Sequence, residues 1–441
     1  MARHIVIAGG GFGGFYAARA LERFTAGGAS VTLVNDANFM LYTPLLPGTA
    51  GGTLDPRHVV VPLRSHLRRT GLLIGSVTGI DQKSQTLLVR RVDGERVALG
   101  YDHLLVALGS VSRTLPIPGL AEYATGLKSL SDATALRNQV LTCLDIAESL
   151  EDPARRAEYL GFVFVGAGYA GLEGLAELQD FAAQAIELYP RCRADGMRWV
   201  LVEAQQRIMP EVPASLSAFA ARELLGRGIE INTHTTLTAI TARGATLSSG
   251  EQVPARTVVW TAGVAPSPVV ASLGLPLDDG GRITVDRELR VVGHPGVWAI
   301  GDCAAVPDPA RCGQACPPTA QHAIRQGRLA ASNIAAALEH RPLRSFRYRT
   351  AGVVAELGHN TAVAITLGLR WRGLPAWLLA RTYHLLLMPG LGRKLRLLMD
   401  WNVALLFGRD PSSPGRLGSA TPLRFAQDEE SLHAPQVVDE S

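Results

Sequence analysis

Two short segments carry residues suited to holding a pyrophosphate. Gly9-x-Gly11-x-x-Gly14 follows the apolar run Ile5-Val6-Ile7-Ala8, and Gly166-x-Gly168-x-x-Gly171 follows Phe162-Val163-Phe164-Val165. Small residues at this spacing let the backbone approach a phosphate closely. The helix that starts there offers free N–H groups and the positive end of its dipole. One glycine triplet alone would be weak evidence. Here each copy follows a short strand and opens an alanine- and leucine-rich helix, which is the context the chemistry needs. Two such turns imply two dinucleotides in one chain, and so electron transfer between them.

The residues that would meet the riboses differ between the copies. The strand after the second turn, Trp199-Val-Leu-Val202, ends at Glu203, which is placed to take both ribose hydroxyls. A carboxylate there repels a 2′-phosphate, so NADH is favoured over NADPH. After the first turn, Val31-Thr-Leu-Val34 ends at Asn35, with Asp36 one residue later. An amide bonds a hydroxyl more weakly than a carboxylate does. The ribose contact is therefore read at Asn35, with Asp36 as the alternative. A third element, Gly296-Val-Trp-Ala-Ile-Gly301-Asp302, puts a carboxylate at the C-terminal edge of a sheet, where ligands bind in open α/β folds.

These residues need a scaffold, and the chain spells it twice. Strand, glycine turn, helix and strand form the mononucleotide-binding half of a doubly wound fold, whose right-handed crossovers make the strands parallel. Each half then closes with an apolar strand and a small turn: His103 to Ala107 and Gly109 in one, Thr257 to Ala262 and Gly263 in the other. The expected fold class is α/β, with two Rossmann-like dinucleotide-binding domains and a helical C-terminal segment. A helix is expected to begin near Pro317, since proline is tolerated in a first turn.

Composition narrows the class. The chain has 441 residues, enough for two or three domains with substantial cores. A formal net charge of +4 is too small to argue for a nucleic-acid partner. Five cysteines at irregular spacing point to a reducing compartment, and the close pair Cys312 and Cys316 reads as two ordinary loop thiols. No metal-ligand set is read. The chain enters its first strand at once, leaving no room for a targeting peptide. No apolar run of about 18 residues occurs, so no spanning helix is expected.

With Trp298-Ala-Ile before it and Ala304-Ala305 after it, Gly301-Asp302 resembles the second FAD-binding signature of two-dinucleotide flavoproteins. The whole chain, over residues 3 to 410, resembles the type II NADH dehydrogenases, single-subunit NADH:quinone oxidoreductases that do not pump protons. Four segments carry this resemblance: Phe39-Met-Leu-Tyr42-Thr43-Pro44-Leu45-Leu46, Leu127-Lys-Ser-Leu-Ser-Asp132, Gly168-x-x-Gly171-Leu-Glu173 with Glu177, and Phe346-Arg-Tyr348-x-x-x-Gly352-x-x-Ala355-x-x-Gly358.

The resemblance implies FAD on Gly9, Gly11, Gly14, Asn35 or Asp36, Pro44, Leu45, Ala107, Gly109, Asp302, Ala320 and Gln321. It implies NADH on Gly166, Gly168, Gly171, Glu203, Ala262 and Gly263. Residues 1–115 with 268–335 would be the FAD domain and 116–267 the NADH domain. Residues 336–410 would serve membrane association and dimer formation, and 411–441 would be a disordered tail. The helix near Pro317 would point its N-terminus at the pyrimidine end of the flavin and stabilise charge on it when reduced. Glu173 would sit near flavin and nicotinamide and exchange protons with a quinone, ubiquinone or menaquinone. A homodimer on the cytoplasmic face of the cell membrane is the implied setting.

One departure touches the acceptor. The resembled family carries two glutamines four residues apart after the Gly-Asp signature. Here Gln321 is followed at that spacing by Arg325, with Gln326 next to it. Arginine cannot accept a hydrogen bond, but it can donate to a quinone carbonyl or pair with an acid and narrow the site. Gln321 and Arg325 join Glu173 as the candidate catalytic residues.

From about residue 364 to 409, apolar runs carry tryptophans and are broken by Arg381, Arg393, Lys394 and Arg396. That pattern suits helices lying in a membrane interface. Among the rivals, a disulfide reductase needs a cysteine pair near the flavin, and residues 37–50 contain none. A sulfide:quinone oxidoreductase-like enzyme, with Cys303, Cys312 and Cys316 as its thiols, remains open, as does a redox-sensing NADH- and FAD-binding protein.

Overall fold

The structure is a computed structural model that describes residues 3–24, 28–311, 313–348, 350 and 352–413. Cys312 and residues 414–441, most of the expected tail, lie outside the described residues.

Continuous apolar runs become central strands because both of their faces are covered. Ile5, Val6, Ile7 and Ala8 are fully buried, as are all five residues of Gly161–Val165. Arg3–Ala8 lies inside a seven-stranded sheet. Its order is Val297–Ala299, His103–Val106, Arg3–Ala8, Ala29–Asn35, Thr70–Asp81, Thr86–Arg91, Arg96–Gly100. The first five are parallel and the last three form an antiparallel meander. Gly161–Val165 is central in an all-parallel sheet of five, ordered Ala124–Thr125, Thr257–Trp260, Gly161–Val165, Arg198–Val202, Ile229–Asn232. The expected α/β class with two doubly wound units is what the chain adopts.

The glycine turns lead into helices Phe12–Phe24 and Tyr169–Ala185. The first packs closely on Ala320–Leu338, where a Cβ on Gly327 would fall 2.2 Å from the carbonyl oxygen of Gly13. That helix starts at Ala320 rather than near Pro317. Thr319 caps it, with Oγ1 accepting the His322 N–H at 3.4 Å, and both prolines precede the cap. An antiparallel sheet, Gly352–Glu356, Ala362–Thr366 and Leu369–Gly373, follows, and then helices Leu374–Leu387 and Leu391–Phe407. Among the described residues, no helix is long and apolar enough to cross a membrane.

Candidate active site

Each glycine triplet divides its work in the same way. A Cβ on Gly14 would sit 1.8 Å from the Gly9 carbonyl oxygen, and one on Gly171 would sit 2.0 Å from that of Gly166. Gly9 (φ +106°) and Gly166 (φ +103°) take a backbone conformation that other residues rarely adopt. The middle glycines, Gly11 and Gly168, have nothing within 4 Å of where a Cβ would be. The outer glycines let the chain fold on itself, and the middle one leaves space for a phosphate.

The two ribose candidates hold these turns through equivalent bonds. Gly10 N–H donates to Asn35 Oδ1 at 2.7 Å, and Ala167 N–H donates to Glu203 Oε2 at 2.7 Å. Glu203 also accepts the Gln205 N–H at 2.8 Å, and its oxygens retain lone pairs for two hydroxyls. The amide of Asn35 is committed to the carbonyls of Ala37 and Phe39. That leaves its oxygen half free, with Asp36 beside it in the cavity wall.

A cavity of about 610 Å³ is lined by the first glycine turn, Asn35, Asp36, Ala107, Gly109, Asp302 and Ala320. Ser110 Oγ donates to Asp302 Oδ2 at 2.6 Å, and Lys128 Nζ donates to Ser110 Oγ at 2.9 Å. The open space at Gly11, the helix N-terminus behind it and the carboxylate of Asp302 fit a flavin dinucleotide. Gly301 has φ +73°, and its N–H is held at 2.8 Å by Gln326, which is 1% exposed. Gln326 thus positions the Gly-Asp turn.

A second cavity, about 360 Å³, adjoins the first; Phe12, Thr43, Lys128 and Ala320 line both. Its wall brings together Glu173, Gln321, Pro44 and Gly263 from distant parts of the chain, with Tyr42, Tyr169, Tyr383 and His384. Burial pushes the Glu173 carboxyl well above its ordinary range. The Glu356 N–H, donating to Glu173 Oε1 at 3.0 Å, opposes this, while the nearby Glu356 and Glu177 charges add to it. Burial lowers His384 to about 4, so it is a neutral imidazole at neutral pH. Its Nδ1 lies 3.4 Å from the Tyr42 hydroxyl.

Gly14, Gly166, Gly168, Gly171 and Glu203 stand in the two turns described above and line neither cavity, and three further expected site residues fall elsewhere. Leu45, expected at the flavin, is 4% exposed and packs in the core, since the short helical turn Thr43–Leu45 aims its neighbours Thr43 and Pro44 at the cavities instead. Ala262 packs against the core beneath the second sheet, while Gly263 reaches the cavity. Arg325 is outside both cavities. Its guanidinium lies 3.9 Å over the Tyr348 ring, and its Nη1 donates to the Gln321 carbonyl at 2.9 Å. The Tyr348 hydroxyl in turn donates to Gln321 Oε1 at 2.6 Å, so Arg325 reaches the cavity only through these two neighbours.

Lys128, Ser110, Tyr348 and His384 received no role from sequence. Lys128 and Tyr348 stood inside segments that mark the resemblance, which was a usable signal. Ser110 and His384 had none, because a serine after a glycine turn and a histidine in an apolar helix are ordinary.

The fold and these two joined cavities define a two-dinucleotide oxidoreductase, and the pyridine nucleotide-disulphide oxidoreductase pattern matches residues 3–327. The type II NADH:quinone oxidoreductase Ndh of Mycobacterium tuberculosis is 32% identical over 92% of this chain and 89% of its own. The demethylphylloquinone reductase NdbB of Synechocystis is 33% identical over 90% and 95%. The solved structure of NDH2 from Plasmodium falciparum in complex with NADH superposes with a TM-score of 0.87 at 19% identity, covering 93% of this chain and all of that one. The chain belongs to the type II NADH:quinone oxidoreductases.

Proposed function

We infer that the protein is an FAD-dependent NADH:quinone oxidoreductase that does not pump protons. The observation that carries this reading is the junction of the two cavities, where residues of the flavin half, the nicotinamide half and the C-terminal helices meet. When bound, the flavin would supply the redox chemistry, namely hydride acceptance from NADH and two-electron delivery to a quinone. The chain's own residues bind, orient and handle protons. Gly9, Gly11, Gly14, Asn35, Asp36 and Asp302 would hold FAD, with Lys128 and Ser110 fixing the Asp302 carboxylate. Gly166, Gly168, Gly171 and Glu203 would hold NADH, Glu203 rejecting a 2′-phosphate. Gln321, oriented by Tyr348, and the Tyr42–His384 pair present hydrogen-bonding groups to an acceptor. Glu173, whose carboxyl burial raises well above its ordinary range, is the proton donor beside them.

Membrane attachment is read from the two C-terminal helices. Leu391, Leu395, Met399, Leu406 and Phe407 are 82, 58, 57, 73 and 83% exposed, and Arg393 and Lys394 lie on the same helix. Apolar side chains with basic neighbours suit a helix lying in the interface. A homodimer on the cytoplasmic face is part of the same reading.

Anaerobic addition of NADH to the purified flavoprotein should bleach its flavin absorbance, and a short-chain quinone should restore it with sustained turnover. No bleaching would sink the reading at its first step. Bleaching without turnover would favour a sensor, and quinone reduction driven by sulfide without NADH would favour the sulfide:quinone alternative.

A further inference from the structure

A third cavity, about 540 Å³, lies on the far side of helix Leu374–Leu387 from the acceptor cavity. That helix presents Tyr383 and His384 to the acceptor cavity and Arg381 and Thr382 to this one. Helix Tyr169–Ala185 bridges them similarly, with Glu173 on the acceptor side and Glu177, one turn on, in the third cavity. Between them stands Glu356, whose N–H bonds Glu173 and whose Oε2 lies 3.7 Å from Arg381 Nε.

Two buried polar atoms of this wall have no hydrogen-bond partner: Glu177 Oε2 and Arg381 Nε. Glu177 is 5% exposed; Arg409 Nη2 is 3.1 Å from its Oε2, at ion-pairing distance but without hydrogen-bond geometry. The Arg381 guanidinium is stacked on Trp377 at 4.4 Å and Trp401 at 4.7 Å. Both atoms are sealed from solvent, while the cavity beside them is lined by the charged and polar side chains of Glu177, Asp180, Gln184, Arg381 and Arg409 and is roomy enough for ordered water. Further along, Asp180 Oδ1 is 2.5 Å from Arg227 Nη2 and 3.1 Å from His359 Nε2, and the His359 side chain is 63% exposed. Charged and polar groups therefore line the way from the surface to Glu356, whose backbone N–H meets Glu173.

The reaction proposed above, on which this inference rests, needs such a path. NADH, quinone and one H⁺ give NAD⁺ and quinol. The hydride brings two electrons and one proton, so the second proton comes from solvent. We propose that the third cavity is a water-filled proton antechamber, feeding the acceptor site through Glu177, Glu356 and Glu173. Glu173 gives its proton to the reduced quinone oxygen and becomes a carboxylate. It is reprotonated from Glu356, which is refilled by water in the cavity that Glu177 and Arg381 line. The charged groups facing this relay are Glu173, Glu177 and Asp180 on one helix, Glu356 and His359 from the C-terminal sheet, and Arg381, Arg409 and Arg227.

The test separates the half-reactions in the holoenzyme carrying Glu356→Gln or Glu177→Gln. Bleaching by NADH should stay within about twofold of wild type. Reoxidation by a short-chain quinone should slow by up to about 10²-fold, the usual worth of a general acid. Added formic or acetic acid should partly restore Glu177→Gln, and Glu356→Asp should recover part of the rate. Infrared spectra of the wild type should show a protonated carboxyl band titrating near neutral pH, missing in Glu356→Gln. Reoxidation at the wild-type rate in both variants overturns the route. So does equal slowing of both half-reactions with no response to weak acid, which would mean a structural role. The infrared band, independent of turnover, judges the relay even if wild type reduces no quinone, and its absence in wild type overturns the route.

Discussion

Gly14→Ala and Gly11→Ala should act in opposite directions, although they lie in one turn. At Gly14 the added methyl would be 1.8 Å from the Gly9 carbonyl oxygen, whereas ordinary contact begins at 3.4 Å. The end of the first strand would have to move by about 1.6 Å. That carbonyl belongs to the tight positive-φ turn directly after the buried strand Arg3–Ala8, so the substitution behaves as overpacking and costs about 1–3 kcal/mol or more. For a domain of this size that corresponds to a drop in apoprotein Tm of about 2–12 °C. At Gly11 nothing lies within 4 Å, so alanine meets no protein atom. Lost flexibility in the unfolded chain should leave apoprotein Tm unchanged or raise it slightly, by the equivalent of about 0.4–1 kcal/mol. Its methyl stands where the phosphate should lie, so flavin retention falls and the stabilisation by ligand disappears. Scanning calorimetry of both variants with and without FAD, together with flavin content from absorbance, measures each quantity. If Gly11→Ala keeps full flavin, or Gly14→Ala melts like wild type, the division of labour within the turn is wrong.

Glu203→Ala removes the acceptor of the Ala167 N–H and, on the proposed binding mode, both ribose contacts; hydrogen bonds to a charged group are worth about 1.5–3 kcal/mol, so KM for NADH should rise about 10- to 100-fold in steady-state assays, with less change in kcat. Arg325→Gln should leave KM for ubiquinone and menaquinone analogues within about threefold, because its side chain stands outside the acceptor cavity, whereas Tyr348→Phe, which frees Gln321 Oε1, should change it more. Burial raises Glu356 to about 7 against Arg381, so the folded state holds its proton more tightly than the unfolded chain does. Stability at this group is thus lost as pH rises from about 4.5 to 7, and the Tm of wild type relative to Glu356→Gln should fall over that interval. Leu406→Glu with Phe407→Glu removes two exposed apolar anchors worth up to about 1.5–3 kcal/mol each if fully inserted, and should reduce co-sedimentation with anionic vesicles at least tenfold.

Much of the site was legible because its logic is local. A strand, a glycine turn and a helix follow one another in sequence, so spacing alone located both dinucleotide turns and the carboxylate that follows the second. The Gly-Asp turn was readable for the same reason, and composition marked the two C-terminal helices as apolar runs broken by basic residues. What misled was also local. Counting four residues on from Gln321 put Arg325 in the acceptor wall, but the guanidinium found a better partner in the Tyr348 ring. Leu45 shared a segment with Thr43 and Pro44, yet a helical turn points successive side chains in different directions.

The sequence by itself determined the two parallel sheets, the two glycine turns and the carboxylate of Glu203 after the second, since each depends on residues within one strand–turn–helix unit. Only the tertiary structure decided what meets at the junction. It joined Glu173, Gln321, Tyr42 and His384 around one cavity, gave Asp302 its Ser110 and Lys128 partners, and set Glu356 between two cavities. Those contacts link segments up to hundreds of residues apart. They are created by the way the sheets and C-terminal helices pack, which no local spacing encodes.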